Sequence, residues 1–197
     1  MSDEIPIASV RFGRTVVVVE HGPLLHQRVD AIVIAANARG MIGGGGSETI
    51  RTLGGEEIER ETMTRAPLRI GDAVVTGSGL LLRAGVRAII HAVGSPALGE
   101  PARLRDARRA LLASLEEADE RRLRTIALSP LSAVGENGAR LDDEQLGLAF
   151  VEDVVGYLRR GTTHLDRVTV VAQFAAHVDP LLAAFAEARR SSWVSPA

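Results

Sequence analysis

The chain contains neither cysteine nor lysine among its 197 residues. The absence of cysteine excludes disulfides, thiolate zinc sites and a cysteine nucleophile. The absence of lysine excludes Schiff-base chemistry, a lysine nucleophile and a phosphate loop of the Walker type. All 23 basic residues are therefore arginine, a usage that is also typical of GC-rich genomes.

Aromatic residues and long apolar runs are scarce as well. Aromatic residues make up 3% of the chain, so a large protein interface anchored by aromatic side chains is not evident from the sequence. No apolar run approaches the roughly 20 residues that span a bilayer, and the N-terminus lacks the apolar core of a signal peptide. A net charge of −2 creates no overall field that attracts nucleic acid. We expect a cytoplasmic protein that binds neither membranes nor nucleic acid directly and holds any anionic ligand in a local site.

Strand-length apolar runs alternate with helical patterns along the chain, and no linker or repeat interrupts them between Arg11 and Arg190. The length predicts one domain over residues 1–197, with a core of roughly 11–190 and short tails. The predicted strands are Thr15–Glu20, Ala31–Ala36, Ala73–Thr76, Ala88–Ala92, Thr125–Ser129 and Val168–Gln173. The predicted helices are Glu48–Thr62, Ala102–Glu120, Asp143–Arg159 and Pro180–Arg190. This order predicts an α/β fold, a three-layer α/β/α sandwich around a mixed, mostly parallel six-stranded sheet.

Local signals mark several helix boundaries. Asp142 is a typical N-cap, and Asp179-Pro180 predicts a cap followed by proline at the first helical position. Gly54 and Gly55 weaken the first predicted helix and favour a break there. Because ligands of such sheets bind beyond the carboxyl ends of parallel strands, the loops that follow the strands are the candidate sites.

The first candidate loop follows Ala31–Ala36 and contains four consecutive glycines, Gly43 to Gly46, ahead of a predicted N-cap at Ser47. Glycines allow a ligand to approach the backbone, and their N–H groups together with a helix N-terminus form an anion cradle. The alternative is a flexible turn, but four glycines are costly in chain entropy without such a purpose.

The second candidate loop follows Thr125–Ser129 and carries Ser132, Ala133, Gly135 and Gly138 before the helix at Asp143. Two such loops suit a diphosphate, since each hydrogen bond to a charged phosphate contributes roughly 1.5–3 kcal/mol. Neither loop matches the GxGxxG fingerprint, which argues against a Rossmann-type NAD site without eliminating it.

Several segments, taken in order, resemble the macrodomain family. They are VDAIVIAANARGMIGGGGSETI (29–50), GDAVVTGSG (71–79), RAIIHAVG (87–94), RTIALSPLSAVGENG (124–138) and VTVVAQF (168–174). The resemblance implies a domain that binds ADP-ribose, or an ADP-ribosylated protein or metabolite, and needs no cofactor.

The resemblance also implies roles for particular residues. Asn37 would position the distal ribose, Phe174 would pack on the adenosine portion or its ribose, and Leu24 would offer a backbone group. Phe174 as plain strand-end core is the alternative. The diphosphate and the ribose beyond it would be held by Gly43, Gly44, Gly45, Gly46, Ser47, Ser132, Ala133, Val134, Gly135, Glu136 and Gly138.

Three departures from the family pattern bear on function. Ile34 stands where the family has its first asparagine, and Pro23 follows Gly22 where the family has its adenine-reading aspartate. Ser47 stands where hydrolytic members carry an aspartate. The remaining candidates for a catalytic role are Asn37, Glu136 and Glu48, with Glu136 favoured over Glu48 as the base. The lysine-dependent mechanism of another macrodomain branch is excluded because the chain has no lysine.

Three functional hypotheses follow. The first is ADP-ribose binding combined with hydrolysis of mono-ADP-ribose esters of acidic side chains or small metabolites. The second is a reader that binds ADP-ribose without turnover, and the third is a Rossmann-like nucleotide-dependent enzyme. His91 is predicted to be a core residue, and the other histidines lack metal-ligand spacing, so no metal site is expected. These other histidines are His21, His26, His164 and His177.

Overall fold

A computed structural model describes residues 7–43 and 46–190, with the backbone alone for 46–48. The predicted tails before residue 7 and after residue 190 lie outside the described residues. The strands in the described part are β1 (Ala8–Phe12), β2 (Thr15–His21), β3 (Ala31–Asn37), β4 (Ala73–Gly77), β5 (Ala88–Ser95), β6 (Ala102–Arg103), β7 (Thr125–Leu128), β8 (Ala133–Val134) and β9 (Arg167–Ala172). The α-helices are α1 (Gly46–Gly54), α2 (Glu56–Met63), α3 (Leu104–Glu120), α4 (Asp143–Arg159) and α5 (Val178–Arg190), and short 3₁₀ helices cover Leu24–His26, Gly79–Ala84 and Ala175–His177.

The main sheet has seven strands in the order β1-β2-β9-β7-β3-β5-β4. The five central strands are parallel, and β1 and β4 pair antiparallel at the two edges. All six predicted strands are present, and the predicted strand count was wrong only because it omitted β1. In β1 the exposed Ser9 and Arg11 alternate with less exposed neighbours, as in a strand with one face toward solvent. A search for continuous apolar runs misses that pattern.

Helices cover both faces of the sheet, which confirms the three-layer sandwich. In β3, Ala31 and Val33 enter the core shared with α3, α4 and α5, whereas Ile32 and Ile34 enter the core shared with α1 and α2. Successive residues of a strand point to opposite faces, so a strand buried on both sides is apolar throughout. No helix of the described residues is long and apolar enough to cross a membrane.

The glycine break and one predicted cap are confirmed. The break falls between Gly54, which ends α1, and Glu56, which begins α2. Asp142 caps α4: its side chain accepts a hydrogen bond from the Gln145 backbone N–H, and the Gln145 side chain accepts one from the Asp142 N–H. This reciprocal capping box starts α4 directly after the second candidate loop.

Three other predicted helix starts were wrong. Helix α3 begins at Leu104 rather than Ala102, because Ala102 and Arg103 form β6. Helix α5 begins at Val178, because the 3₁₀ helix Ala175–His177 runs directly into it, and Asp179 therefore lies in the first turn with Pro180 after it. Helix α1 begins at Gly46, which places Ser47 inside the helix rather than at its N-cap.

A buried polar contact joins the C-terminal halves of α3 and α4. The Tyr157 hydroxyl donates a hydrogen bond to Asp119, whose other carboxylate oxygen accepts bonds from the Thr163 hydroxyl and the His164 backbone N–H. Burial, and next the hydrogen bond to Asp119, raise the pKa of Tyr157 above its ordinary value. These hydrogen bonds hold the segment between α4 and β9 against α3.

Candidate functional site

A cavity of about 630 Å³ opens at the carboxyl ends of the parallel strands. Its floor is apolar, and its walls come from the loop after β7 and from the residues that follow β9. Floor residues include Ile34, Ala36, Ala92, Gly94 and Ala107. The volume lies in the range of small-molecule sites, which are mostly apolar with a few polar groups that fix orientation. We refer to this cavity as the cleft.

Two charged side chains, Glu100 and Arg140, line the cleft within the described part of the chain. Both residues are exposed. Neither side chain forms a hydrogen bond or ion pair with another described residue. Neither was predicted from the sequence. An unpaired guanidinium in such a place is free to form the bidentate contacts with phosphate for which arginine is suited.

The first candidate loop is held by Asn37 and Glu59. The buried Asn37 accepts hydrogen bonds at Oδ1 from the backbone N–H groups of Arg39 (3.1 Å) and Met41 (3.4 Å), and its Nδ2 donates to the Met41 carbonyl (2.8 Å). Glu59 Oε1 accepts a hydrogen bond from the Ile42 N–H at 2.7 Å. Asn37 does not line the cleft, and its contact with a ribose stays a prediction.

The glycines at the centre of this loop are only partly described. Gly43 is described, whereas the predicted ligand contacts of Gly44 and Gly45 lie outside the described residues. Gly46 is described by its backbone alone. The side chains of Ser47 and Glu48 also lie outside the described part, so the roles predicted for them stay predictions.

The second candidate loop is built differently from the first. Strand β8 pairs with β6 in a small parallel sheet, and residues 135–139 form a tight turn beyond it. Within the turn, the Gly135 N–H donates to the Ala139 carbonyl and the Gly138 N–H to the Gly135 carbonyl, both at 2.8 Å. The N–H groups of Gly135 and Gly138 therefore donate hydrogen bonds within the turn and are not available to bind an anion. The residues of this loop that line the cleft include Ser132, Ala133, Val134 and Gly138.

Glu136 points away from the cleft. Its Oε1 accepts a hydrogen bond from the Arg105 N–H (3.2 Å) in the first turn of α3, and its Oε2 lies 3.5 Å from Arg105 Nε. The Arg103 guanidinium donates to the carbonyls of Gly135 and Glu136. A carboxylate at a helix N-terminus stabilises the helix. This contact gives Glu136 a structural role that does not require a catalytic one. Neither Gly135 nor Glu136 lines the cleft, and this geometry does not favour Glu136 as the base.

Leu24 and Phe174 also line the cleft. Phe174 is 66% exposed, so the alternative that it is plain core is wrong. Its ring packs edge-to-face with His177 at a centroid distance of 5.3 Å. Phe174 and Arg140 also border an adjoining hollow of about 420 Å³. There His177 Nε2 lies 3.5 Å from Asp143 Oδ1.

His91 is a core residue, as predicted. Its Nε2 lies 2.9 Å from the Thr76 hydroxyl and 3.3 Å from the Thr62 hydroxyl, while Nδ1 has no hydrogen-bond partner among the described residues. Burial, with a smaller contribution from Arg65, lowers the pKa of His91 to about 4, and the ring is therefore neutral at pH 7. Across residues 7–43 and 46–190, no group of acidic, histidine or cysteine side chains is arranged to hold a metal ion.

Comparison with known proteins connects this architecture to a family. The family model described as Macro domain matches residues 33–143, which include both candidate loops. An uncharacterized protein of Aquifex aeolicus is 38% identical over 133 residues, which make up 68% of this chain and 77% of that protein. The chain covers only 39% to 64% of the length of several other relatives.

Solved structures show the same fold at low sequence identity. The Oceanobacillus iheyensis macrodomain with MES bound has a TM-score of 0.77 at 17% identity, covering 93% of this chain and 97% of that one. The Trypanosoma brucei macrodomain in complex with ADP-ribose has a TM-score of 0.70 at 24% identity, covering 84% of this chain and 67% of that one. At such identities the likeness establishes the fold and leaves function to be argued from the site.

Proposed function

This chain belongs to the macro domain family, and we propose that it binds ADP-ribose or an ADP-ribosyl group in the cleft. The observation that carries the proposal is the cleft itself, which lies at the carboxyl ends of the parallel strands and is lined by residues of the second candidate loop. It combines an apolar floor, an exposed aromatic ring and Arg140, whose side chain has no partner in the part of the chain that the structure describes. These are the three kinds of surface that a nucleoside diphosphate sugar requires.

The parts of the cleft suit different parts of this ligand. Phe174 offers an exposed ring face to the adenosine portion, since aromatic rings favour offset stacking. Arg140, which borders the same adjoining hollow as Phe174, would contact the diphosphate. The glycine loop at the start of α1 would supply backbone N–H groups at a helix N-terminus.

Among the described residues no carboxylate adjoins Leu24 in the cleft, and Asp143, which borders the adjoining hollow, lies 3.5 Å from His177 Nε2. Leu24, which is buried beside Pro23, offers only its backbone, and Ile34 contributes an apolar surface to the floor. Selectivity for ADP-ribose would therefore come from the diphosphate and the two riboses rather than from the base. Other ligands that share the adenosine portion should bind more weakly.

Isothermal titration of the purified chain with ADP-ribose tests the proposal. We expect a dissociation constant in the micromolar range, equivalent to about −8 kcal/mol at 1 μM. AMP lacks the second phosphate and the distal ribose, and NAD blocks the anomeric end, so both should bind at least about tenfold more weakly, a difference of about 1.4 kcal/mol. Absence of heat and of thermal stabilisation with ADP-ribose, or tighter binding of NAD, would contradict the proposal.

Hydrolysis of mono-ADP-ribosyl esters is the second candidate function, and a reader role without turnover is its alternative. The observation that favours hydrolysis is the Glu100 carboxylate in the cleft, whose side chain has no hydrogen-bond or ion-pair partner among the described residues. In a cleft that binds ADP-ribose without turnover, a negative charge near the diphosphate would not increase affinity, because like charges repel. The third hypothesis, a Rossmann-like enzyme, does not apply because the chain has the macrodomain fold.

A further inference from the structure

We propose that Glu100 is the general base of ester hydrolysis in the cleft, a role that rests on the ADP-ribose binding proposed above. Glu100 lies in the segment that connects β5 to β6. Along the described part of the lining it is the one carboxylate.

The connecting segment lies between the two candidate loops. Leu98 packs against Gly43 of the first loop, since a Cβ at Gly43 would lie only 3.0 Å from Leu98 Cδ2. Ala102 pairs with Ala133 of the second loop in the small parallel sheet. Glu100 is midway between Leu98 and Ala102 in the chain, and it lines the cleft.

The segment that carries Glu100 leads into β6 on one side of β8, and Arg140 lies on the other side. Val134 pairs with Arg103 of β6 on one side and with Arg140 on the other. Because neighbouring strands are about 4.8 Å apart, the backbones on the two sides are separated by roughly 10 Å. Arg140 also borders the hollow beside Phe174, which Glu100 does not reach. A ligand with its adenosine at Phe174 and its phosphates at Arg140 would direct its distal ribose toward Glu100.

Three other described carboxylates near the loops are already engaged. Glu59 holds the Ile42 N–H, Asp142 caps α4 and Glu136 caps α3. The Glu100 side chain makes no hydrogen bond or ion pair with a described residue. A base must be free to accept a proton from water, and among these four carboxylates Glu100 alone meets that condition.

The reaction assigned to Glu100 uses water as its sole co-reactant. The water oxygen forms a bond to the anomeric carbon of the distal ribose while the bond from that carbon to the ester oxygen breaks. Glu100 accepts a proton from the water, and the acidic side chain leaves as a carboxylate with the electron pair of the broken bond. Glu100 then releases the proton to solvent, and the products are ADP-ribose and the free carboxylate.

The test uses the whole chain and a peptide that carries ADP-ribose on a glutamate side chain, with released ADP-ribose measured by chromatography. Glu100→Gln keeps the size of the side chain and removes its basicity. We expect kcat to fall at least about 100-fold, the lower bound for general-base catalysis, while the dissociation constant for ADP-ribose changes less than about threefold. Glu100→Asp keeps a carboxylate and should retain more activity than Glu100→Gln.

The matched control is Glu187→Gln, which removes the same charge from an exposed position on α5 outside the cleft lining. It should leave kcat and affinity unchanged. If the wild-type chain binds ADP-ribose but releases none from the peptide, the inference fails and the binding function stands. If Glu100→Gln keeps its kcat, or loses affinity alone, Glu100 is not the base. If ADP-ribose does not bind at all, the failure belongs to the proposed function.

Discussion

Replacement of Arg140 by glutamate is expected to weaken the binding of ADP-ribose about a hundredfold. The substitution removes hydrogen bonds to a charged phosphate, each of which contributes about 1.5–3 kcal/mol, and places a negative charge beside the diphosphate. Since 1.4 kcal/mol corresponds to a factor of ten, the loss should be evident by isothermal titration. Arg140→Gln, which removes the charge without reversing it, should cost about tenfold. The Arg140 side chain has no described partner, so folding stability should not change.

Arg83→Glu provides the control for net charge. Arg83 is exposed on the 3₁₀ helix Gly79–Ala84, and it does not line the cleft. If both substitutions weakened binding equally, the effect would come from overall charge rather than from a contact in the cleft. If Arg140→Glu bound ADP-ribose as tightly as the wild type, Arg140 would not contact the diphosphate.

Replacement of Gly79 by alanine is expected to lower the free energy of unfolding by about 3 kcal/mol. Gly79 has a φ of +54°, a conformation that costs other residues about 1–2 kcal/mol. A Cβ there would also lie 2.0 Å from the carbonyl oxygen of Gly54, and overpacking of this kind adds about 1–3 kcal/mol. For a chain of this size, each kcal/mol lowers Tm by about 2–4 °C. Thermal denaturation followed by circular dichroism would measure the change.

Gly85→Ala separates the two contributions. Gly85 ends the same 3₁₀ helix with a φ of +92°, but a Cβ there would meet nothing within 4 Å. Its replacement should therefore cost only the backbone conformation, about 1–2 kcal/mol. Equal losses in the two variants would show that the contact with Gly54 relaxes without cost. The contact matters for the site because Gly54 ends α1, the helix that follows the first glycine loop.

The elements that depend on local chemistry could be predicted from the sequence. The buried strands are continuous apolar runs because both of their faces are covered, and α4 follows an aspartate that caps it. Strand β1 lacked such a signal, since it is short and alternates at the edge of the sheet. The start of α5 was missed because the 3₁₀ helix before it carries no capping residue that marks a boundary.

Residues of the second predicted loop line the cleft, but the two charged residues that line it were not predicted. Glycine runs mark a close approach of ligand and backbone, and that signal is local. Glu100 reaches the cleft only because β6 pairs with β8, two strands of two residues each that leave no periodic pattern. Such pairing depends on tertiary structure. Arg140 lies two residues beyond Gly138, and attention to charge within the second loop would have included it.

Because of the contact between Tyr157 and Asp119, unfolding of this domain at alkaline pH can be followed by the ultraviolet absorbance of tyrosinate. Tyr157 is the single tyrosine of the chain, and its phenol keeps its proton in the folded state because burial and Asp119 raise its pKa. In the unfolded chain the same phenol ionises near its ordinary value of about 10. The contribution of this group to stability is therefore full below that pH and is lost as the pH rises. The ultraviolet band of tyrosinate should appear in step with the loss of helical circular dichroism, and in the native state the band should stay absent.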